Sequence, residues 1–471
     1  MLDLRKCAKA AIAEEFAGAE LGDARRTRRL QRIAERAMDA PGVGFPRMVE
    51  NDSELEGVYR FFGSDSIEPE DILGPHVEAT FERLRQVDGP TLVVHDTTDL
   101  RFGGQYVREG LGPTNGKQQG FLLHLALAVM PGEERLALGT CGMLRVCRTE
   151  NKRTRTKSWY EMSKDPNRES LRWGKLVEEV EQRKEGADCI HLMDREADNF
   201  DLFARLQRLG ARFVIRSCHD RALTTGDRLL ARLEKLKAKT YRHIEVSERL
   251  DDGRGTNNRR RHPERSARTA RVAIAGCQVT LRRSISAHVP EAELTLNVVR
   301  VWETSPAPGE PAVSWILYTT ESIETSEQLL AIVDYYRSRW VIEEFFKALK
   351  TGCSIEKRQL ESYHALSLAL AVFLPVAWRL LLARSISRKI PDAPATTVAS
   401  KVQLQLLRHK LKLRVSPKTA EEAALAMAKL GGHLKRNGPP GWLTLGRGLE
   451  ALVLMEAGWK AAMDTKRSDQ S

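Results

Sequence analysis

One stretch in the C-terminal half combines side chains that can hold phosphate and metal ions. Residues 325–351 contain no proline and no glycine, which predicts one uninterrupted helix. At about 100° per residue, four polar side chains fall within roughly 60° of arc, namely Tyr336, Arg339, Glu343 and Lys350. Four apolar side chains fall on another side and are expected to pack on a core, namely Ile342, Phe345, Phe346 and Leu349. The alternative to a functional face is a solvated one, with helix ion pairs worth a few tenths of a kcal/mol.

Two aspartates upstream follow short apolar strands. Residues 91–95 predict a strand that ends at Asp96, and residues 189–193 predict a strand that ends at Asp194. The predicted elements run strand, strand, strand, helix, strand, helix, strand, which is the order of a ribonuclease-H-like core. In that order the two strands lie side by side, and the helix with Glu343 can pack across their edge. Either aspartate alone could be a cap or strand-end residue, but the three acids in this order predict one site.

The chemistry of three converging carboxylates requires cations, because they repel each other and cannot all stay ionised alone. Hard divalent cations prefer oxygen ligands, and Mg²⁺ is the usual choice when phosphate oxygens complete the shell. We therefore expect two Mg²⁺ ions, with Mn²⁺ as a substitute, at Asp96, Asp194 and Glu343. Two such ions can activate a water or a 3′-hydroxyl and stabilise the leaving oxygen of an in-line displacement.

These motifs resemble the three signatures of bacterial cut-and-paste DDE transposases, most closely the insertion-sequence-four family and the transposase of transposon Tn-five. The residues that carry the resemblance are 96–98, 194–198 and the Tyr336, Arg339, Glu343, Lys350 set. It extends to residues 21–27, which are similar to the family's end-binding segment. Residues 428–432 are similar to part of its C-terminal helical domain. The implied fold is an α/β core of ribonuclease-H-like type with an inserted β subdomain and all-helical flanking domains.

The resemblance also implies roles for individual residues. The three acids would be the catalytic metal ligands, while Tyr336, Arg339 and Lys350 would grip phosphates near the cut end. Arg216 would contact DNA, and Trp315 would line the pocket for a base that flips out as a hairpin forms. Trp315 could equally be a core tryptophan at a strand start. Phe346 departs from the family, in which many members carry histidine at that position.

The implied function is cut-and-paste DNA transposition by an enzyme that binds the terminal inverted repeats of its element. It would cleave DNA, form a hairpin and join the ends to target DNA, as a homodimer on double-stranded DNA. One alternative is a catalytically silent DNA-binding repressor or inhibitor of transposition. Another is a ribonuclease-H-like nuclease that lacks strand transfer.

The charge balance favours a polyanionic partner. The 471 residues contain 75 Lys and Arg against 63 Asp and Glu, for a net charge of +12. Four arginines open a predicted amphipathic helix and could line a DNA backbone, namely Arg25, Arg26, Arg28 and Arg29. The alternative is a merely solvated helix. A basic loop at residues 254–271 holds seven arginines, and its role stays open.

Composition also divides the chain and indicates its compartment. We expect a helical end-binding domain at 1–70, a catalytic core at 71–370 with a β insertion at about 220–312, and a helical domain at 371–471 that dimerises. Seven scattered cysteines without a C-x-x-C pair favour a reducing cytoplasm, with the protein on the nucleoid when it is bound to DNA. No membrane association is expected, because the apolar stretch at 365–377 is too short to span a bilayer.

Overall fold

The computed structural model describes residues 3–104, 106–114, 118–148, 161, 165–166, 168–249, 264–285 and 287–468. The N-terminal segment is helical, as expected. Its helices are α1 (Leu4–Lys9), α2 (Ala24–Asp39), α3 (Phe45–Met48), α4 (Asp52–Phe62) and α5 (Pro69–Arg85). The amphipathic pattern of α2 is confirmed, because its buried residues are the four at helical spacing, Leu30, Ile33, Ala34 and Ala37. Asn51 caps α4 by accepting a hydrogen bond from the Glu54 backbone amide at 2.9 Å.

The predicted order of strands and helices in the core is confirmed. The elements are β1 (Thr91–Phe102), β2 (Gly112–Pro113), β3 (Gln119–Val129), β4 (Ala137–Val146), α6 (Arg172–Arg183), β5 (Cys189–Met193), α7 (Phe200–Arg208) and β6 (Arg212–Arg216). Strand β1 pairs antiparallel with β3 and parallel with β5, and β5 pairs parallel with β6. The core order is therefore β4-β3-β1-β5-β6, a mixed sheet of ribonuclease-H-like connectivity.

The insertion at 220–312 continues this sheet. Its elements are α8 (Leu229–Glu234), β7 (Thr240–Val246), β8 (Arg268–Arg282) and β9 (Glu293–Glu303), followed by β10 (Ser314–Thr319). Strand β10 pairs with β6 along one edge and with β9 along the other, so backbone hydrogen bonds run unbroken into β8 and β7. The strands of the expected β subdomain therefore extend the core sheet to ten strands.

The single helix predicted over 325–351 is wrong in detail. Helix α9 (Ser326–Ser338) ends one residue before α10 (Trp340–Lys347), and a π-helical turn (Ala348–Gly352) follows directly. Arg339 keeps helical dihedrals at the junction, with φ −52° and ψ −31°. The predicted apolar side is confirmed, because Ile342, Phe345, Phe346 and Leu349 are all buried.

The C-terminal part is helical, as expected, but one of its two 27-residue helices crosses the proposed domain boundary. The helices are α11 (Tyr363–Lys389), α12 (Lys401–Lys410), α13 (Ala420–Leu430) and α14 (Trp442–Ser468). Helix α11 is long and apolar enough to cross a membrane, yet 94% of its most apolar window is buried inside the protein. It is a central core helix, and the boundary expected at residue 370 falls within it.

Candidate active site

The pairing of β1 with β5 brings Asp96 and Asp194 to the same level of the sheet. The parallel register runs from Thr91 opposite Cys189 to Val94 opposite Leu192, and each aspartate comes two residues later. Asp194 follows the end of β5, as predicted. Asp96 does not end its strand, because β1 continues to Phe102 on the long antiparallel partner β3. Asp96 therefore lies at the point where β1 stops pairing with β5.

Backbone amides fix both aspartates. The Thr97 amide donates to Oδ1 of Asp96 at 2.8 Å, and the Glu196 amide donates to Oδ1 of Asp194 at 2.8 Å. Each carboxylate therefore has one oxygen held by the amide of a residue one or two positions further along the chain. Oriented carboxylates of this kind are pre-organised ligands for a cation.

Glu343, on α10, lies near Asp96, because the guanidinium of Arg339 contacts both carboxylates. The guanidinium of Arg339 lies 3.2 Å from Oδ2 of Asp96 and 2.7 Å from Oε1 of Glu343. Burial raises the pKa of Asp96 to about 7; Arg339 opposes that rise, and the charges of Asp194 and Glu343 add to it. One guanidinium therefore does not compensate the three acids, and their oxygen-rich, net negative setting fits divalent cations.

Arg216, Trp315 and Tyr336 form a cluster beside Arg339. The Trp315 and Tyr336 rings lie 5.8 Å apart, with Tyr336 buried and Trp315 partly buried. Arg216 donates to the carbonyl oxygen of Ser314 at 3.2 Å. Burial lowers the pKa of Arg216, and its hydrogen bond to Tyr336 opposes that change. The sequence-predicted candidates on this side are thus brought together by β6, β10 and α9.

Lys350 lies elsewhere, on a separate polar cleft. Its ammonium donates to the carbonyl oxygen of Asp99 and lies 3.6 Å from the Glu356 carboxylate. The cleft has a volume of about 600 Å³ and is lined by Thr97, Thr98, Asp99, Arg101, Gln118, Lys350 and Glu356. Because the chain turns π-helical after Lys347, Lys350 departs from the predicted row of four polar residues. Tyr336 faces the tryptophan, and Lys350 faces the residues that follow Asp96.

The N-terminal arginines are mostly exposed. Arg25, Arg28 and Arg29 lie at the surface of α2, and over the ranges given above they form no ion pair with a carboxylate. Arg26 is half-buried and donates to the carbonyl oxygen of Leu21 at 3.2 Å. Three of the four predicted DNA-binding arginines therefore present a free positive face.

The basic loop is described only in part, since residues 254–263 lie outside the described ranges. Of the later residues, Arg268 is paired with Glu303 at 2.9 Å and with Glu310 at 3.4 Å. The Arg271 guanidinium lies 4.4 Å from the centre of the Tyr241 ring. The described end of this loop is thus partly neutralised by neighbouring strands.

Sequence reasoning missed a group of polar residues behind the acids. Arg172 donates to the hydroxyl of Thr97 at 2.8 Å, and that hydroxyl lies 2.9 Å from Nδ1 of the buried His124. The position of Thr97 directly after Asp96 was a usable signal. Arg172 gave no such signal in the sequence, because it begins an amphipathic helix 75 residues after Thr97.

A second acidic group is already satisfied without metal. Asp198, Cys218 and His219 bring ligand atoms within 4.8 Å of one another. However, the Asp198 carboxylate accepts from the backbone amides of Cys218 and His219 at 2.7 and 2.9 Å, and it pairs with Arg221 at 2.6 Å. These donors occupy both of its oxygens, so the group stabilises the turn after β6.

Comparison with known proteins agrees with the class that this fold and site define. Residues 8–67 match the family model "Transposase DNA-binding", and residues 159–374 match "Transposase DDE domain". The two models together match more than half of the chain. The chain therefore belongs to the DDE transposases. The DDE match includes Asp194 and Glu343 and begins after Asp96. Divalent metal ions are the general cofactors of this family.

Among solved structures, the chain is similar to the piggyBac transposase in a cryo-EM synaptic complex with hairpin DNA. The two share 11% sequence identity with a TM-score of 0.40, over 96% of this chain and 85% of that chain.

Proposed function

We propose that this protein is an active transposase of the insertion-sequence-four type that cuts the terminal inverted repeats of its own element. The observation that carries the proposal is the convergence of three acids: Arg339 contacts both Asp96 and Glu343, and the charge of Asp194 lies close enough to add to the raised pKa of Asp96. These acids would hold two divalent ions, with Mg²⁺ as the natural choice and Mn²⁺ as a substitute. When bound, the ions would supply an activated hydroxyl and stabilise the leaving oxygen.

The remaining site residues would hold the DNA end. With DNA present, Arg339 would exchange its carboxylate partners for a phosphate near the cut, with Tyr336 beside it. Lys350 would hold a second phosphate in the cleft that follows Asp96. Trp315 is partly buried next to Tyr336, which suits a ring that receives an unstacked base.

The proposed reaction has four steps. Water attacks one strand at the element end and frees a 3′-hydroxyl. That hydroxyl attacks the opposite strand, which releases flanking DNA and closes a hairpin. Water reopens the hairpin, and the freed 3′-hydroxyl then attacks target DNA. The exposed face of α2 would hold the inverted repeats, and a homodimer formed through the C-terminal helices would pair two ends.

A cleavage assay tests the assignment of the acids. The substrate is a duplex taken from the DNA that flanks the gene and carries matching inverted repeats. With Mg²⁺ we expect the parent to give nicked and hairpin products, and Glu343→Gln to bind the duplex but cut at background level. Glu344→Gln is the matched control, since this neighbour pairs with Lys347 and Arg384 on another side of the helix. It should cut like the parent.

Three other results would contradict the proposal. Equal cutting by Glu343→Gln and the parent would remove Glu343 from the site. Binding without cleavage in both Mg²⁺ and Mn²⁺ would identify a silent DNA-binding repressor. Cleavage that never yields a hairpin or a joined product would identify a nuclease without strand transfer.

A further inference from the structure

Arg172 links the two strands that carry the aspartates. It is the first residue of α6 and is only 9% exposed. Its Nε donates to the Thr97 hydroxyl at 2.8 Å, and its Nη2 donates to the Glu196 carboxylate at 2.6 Å. Its Nη1 donates to the carbonyl oxygen of Glu169 at 2.7 Å, in the turn directly before α6, which fixes the guanidinium to the start of that helix. One planar side chain thus has three separate partners.

The two side-chain partners of Arg172 are the residues that orient the acids. The Thr97 amide holds Oδ1 of Asp96, and the Glu196 amide holds Oδ1 of Asp194, each at 2.8 Å. Arg172 therefore joins the side chains of the same two residues whose backbones position the carboxylates. A shift of either Thr97 or Glu196 would move one acid relative to the other.

Two contacts make this link specific. The Thr97 hydroxyl accepts from Nε of Arg172 at 2.8 Å and forms a second hydrogen bond with Nδ1 of His124 at 2.9 Å. Both partners are part of the folded core and hold the threonine side chain in place. A guanidinium can span both strands because its donors diverge in a fixed plane, which a lysine ammonium cannot reproduce.

We infer that Arg172 is a positioning residue that sets the relative placement of the Asp96 and Asp194 carboxylates, and this inference rests on the proposed role of those acids as metal ligands. At other metal sites, loss of a residue that orients the metal ligands typically weakens metal affinity by about 10-fold to 100-fold. A residue that only anchors α6 to the sheet would change stability and leave metal affinity unchanged.

Mn²⁺ binding to the DNA-free full-length protein tests this inference, with free Mn²⁺ measured by electron paramagnetic resonance. We expect Arg172→Gln to weaken binding about 10-fold to 100-fold. Arg172→Lys keeps the positive charge but loses the planar set of N–H donors, so it should also weaken Mn²⁺ binding. Thr97→Val removes the hydroxyl that accepts from Arg172 and should weaken Mn²⁺ binding. Thr97→Ser keeps the hydroxyl and should bind Mn²⁺ with the affinity of the parent.

The matched control is Arg205→Gln, which breaks a different arginine–carboxylate pair made by α6, the one between its Glu178 and Arg205 of α7. It should lower thermal stability without changing Mn²⁺ affinity. Should Arg172→Gln fail to fold, Thr97→Val and Glu196→Ala each remove one side-chain partner of Arg172 and carry the test. Parent-like Mn²⁺ affinity in folded Arg172→Gln, or an equal loss in Arg205→Gln, would overturn the inference.

The same titration separates this inference from the proposed function. An Asp96→Asn, Glu343→Gln double variant should lose Mn²⁺ binding. If the parent binds no more Mn²⁺ than this variant, the proposed metal site fails. If the parent binds Mn²⁺ and Arg172→Gln binds it equally, only the role of Arg172 fails.

Discussion

At the scale of single residues, Asp96 bears a large electrostatic cost for its position. Burial raises its pKa from an ordinary 3.8 to about 7, against the opposing charge of Arg339 and with added repulsion from Asp194 and Glu343. Between those two pH values the folded protein binds more protons at this group than the unfolded chain does. Stability of the metal-free protein should therefore fall as pH rises from about 4 to about 7.

Asp96→Asn should remove this cost, because the amide cannot ionise. In metal-free buffer at pH 8, the variant should be more stable than the parent by up to about 4 kcal/mol, since each pKa unit corresponds to about 1.4 kcal/mol. At pH 4 the parent carboxyl is protonated and the gain should be small. Urea unfolding at both pH values with a chelator present measures the difference, and a pH-independent effect would contradict this account.

At the scale of elements, the sequence was informative where a pattern is local. The spacing of Leu30, Ile33, Ala34 and Ala37 predicted α2, and the alternation of strands and helices predicted the core order. The full length of β1 was missed because it depends on β3, a partner more than 15 residues away. The break at Arg339 was missed because no proline or glycine marks it.

The same limit applies to the site. The three acids could be predicted from the sequence because each follows or lies on a strand or helix with a clear hydrophobic pattern. The pairing of Arg339 with two of them, and the link through Arg172, depend on which side chains meet after folding. Lys350 was assigned to one face with Glu343, but the π-helical turn directs it to Asp99. Periodicity assumes a regular helix and cannot anticipate such a turn.

The ladder between β1 and β3 depends on a close approach at Gly120. A methyl group there would lie 1.9 Å from the carbonyl oxygen of Leu100, which is backbone and cannot move freely. Gly120→Ala should therefore destabilise the protein by about 1–3 kcal/mol, as overpacking does. The control is Gly458→Ala on the exposed face of α14, where nothing lies within 4 Å and a gain of up to about 1 kcal/mol is expected. Chemical denaturation compares them, and equal effects would contradict the steric argument.

At the scale of the whole molecule, a buried ionic cluster joins the N-terminal segment to the core. Glu15 lies 2.6 Å from Nδ1 of His76, accepts from Arg83, and lies 3.2 Å from Nη2 of Arg379. His76 also accepts the Thr140 amide at Nε2 at 3.1 Å, so it is neutral and donates to Glu15. The cluster therefore connects the segment before α2 with α5, β4 and α11, and it holds the part matched by the transposase DNA-binding model against the core.

Glu15→Gln should break this connection. Burial alone would raise the pKa of Glu15, but His76 and Arg83 lower it well below its ordinary 4.5. The variant leaves two arginines buried without a carboxylate, which should cost about 3–5 kcal/mol at pH 7. Because the folded pKa is depressed, the stabilisation is fully present above about pH 4.5 and is lost progressively as pH falls towards the folded pKa, so the difference between the parent and the variant should be smaller at pH 3.5 than at pH 7. Thermal unfolding at pH 7 and pH 3.5 measures this, with exposed Glu14→Gln as the control that should match the parent. A constant difference between Glu15→Gln and the parent at both pH values would show that the lost contact is not ionic.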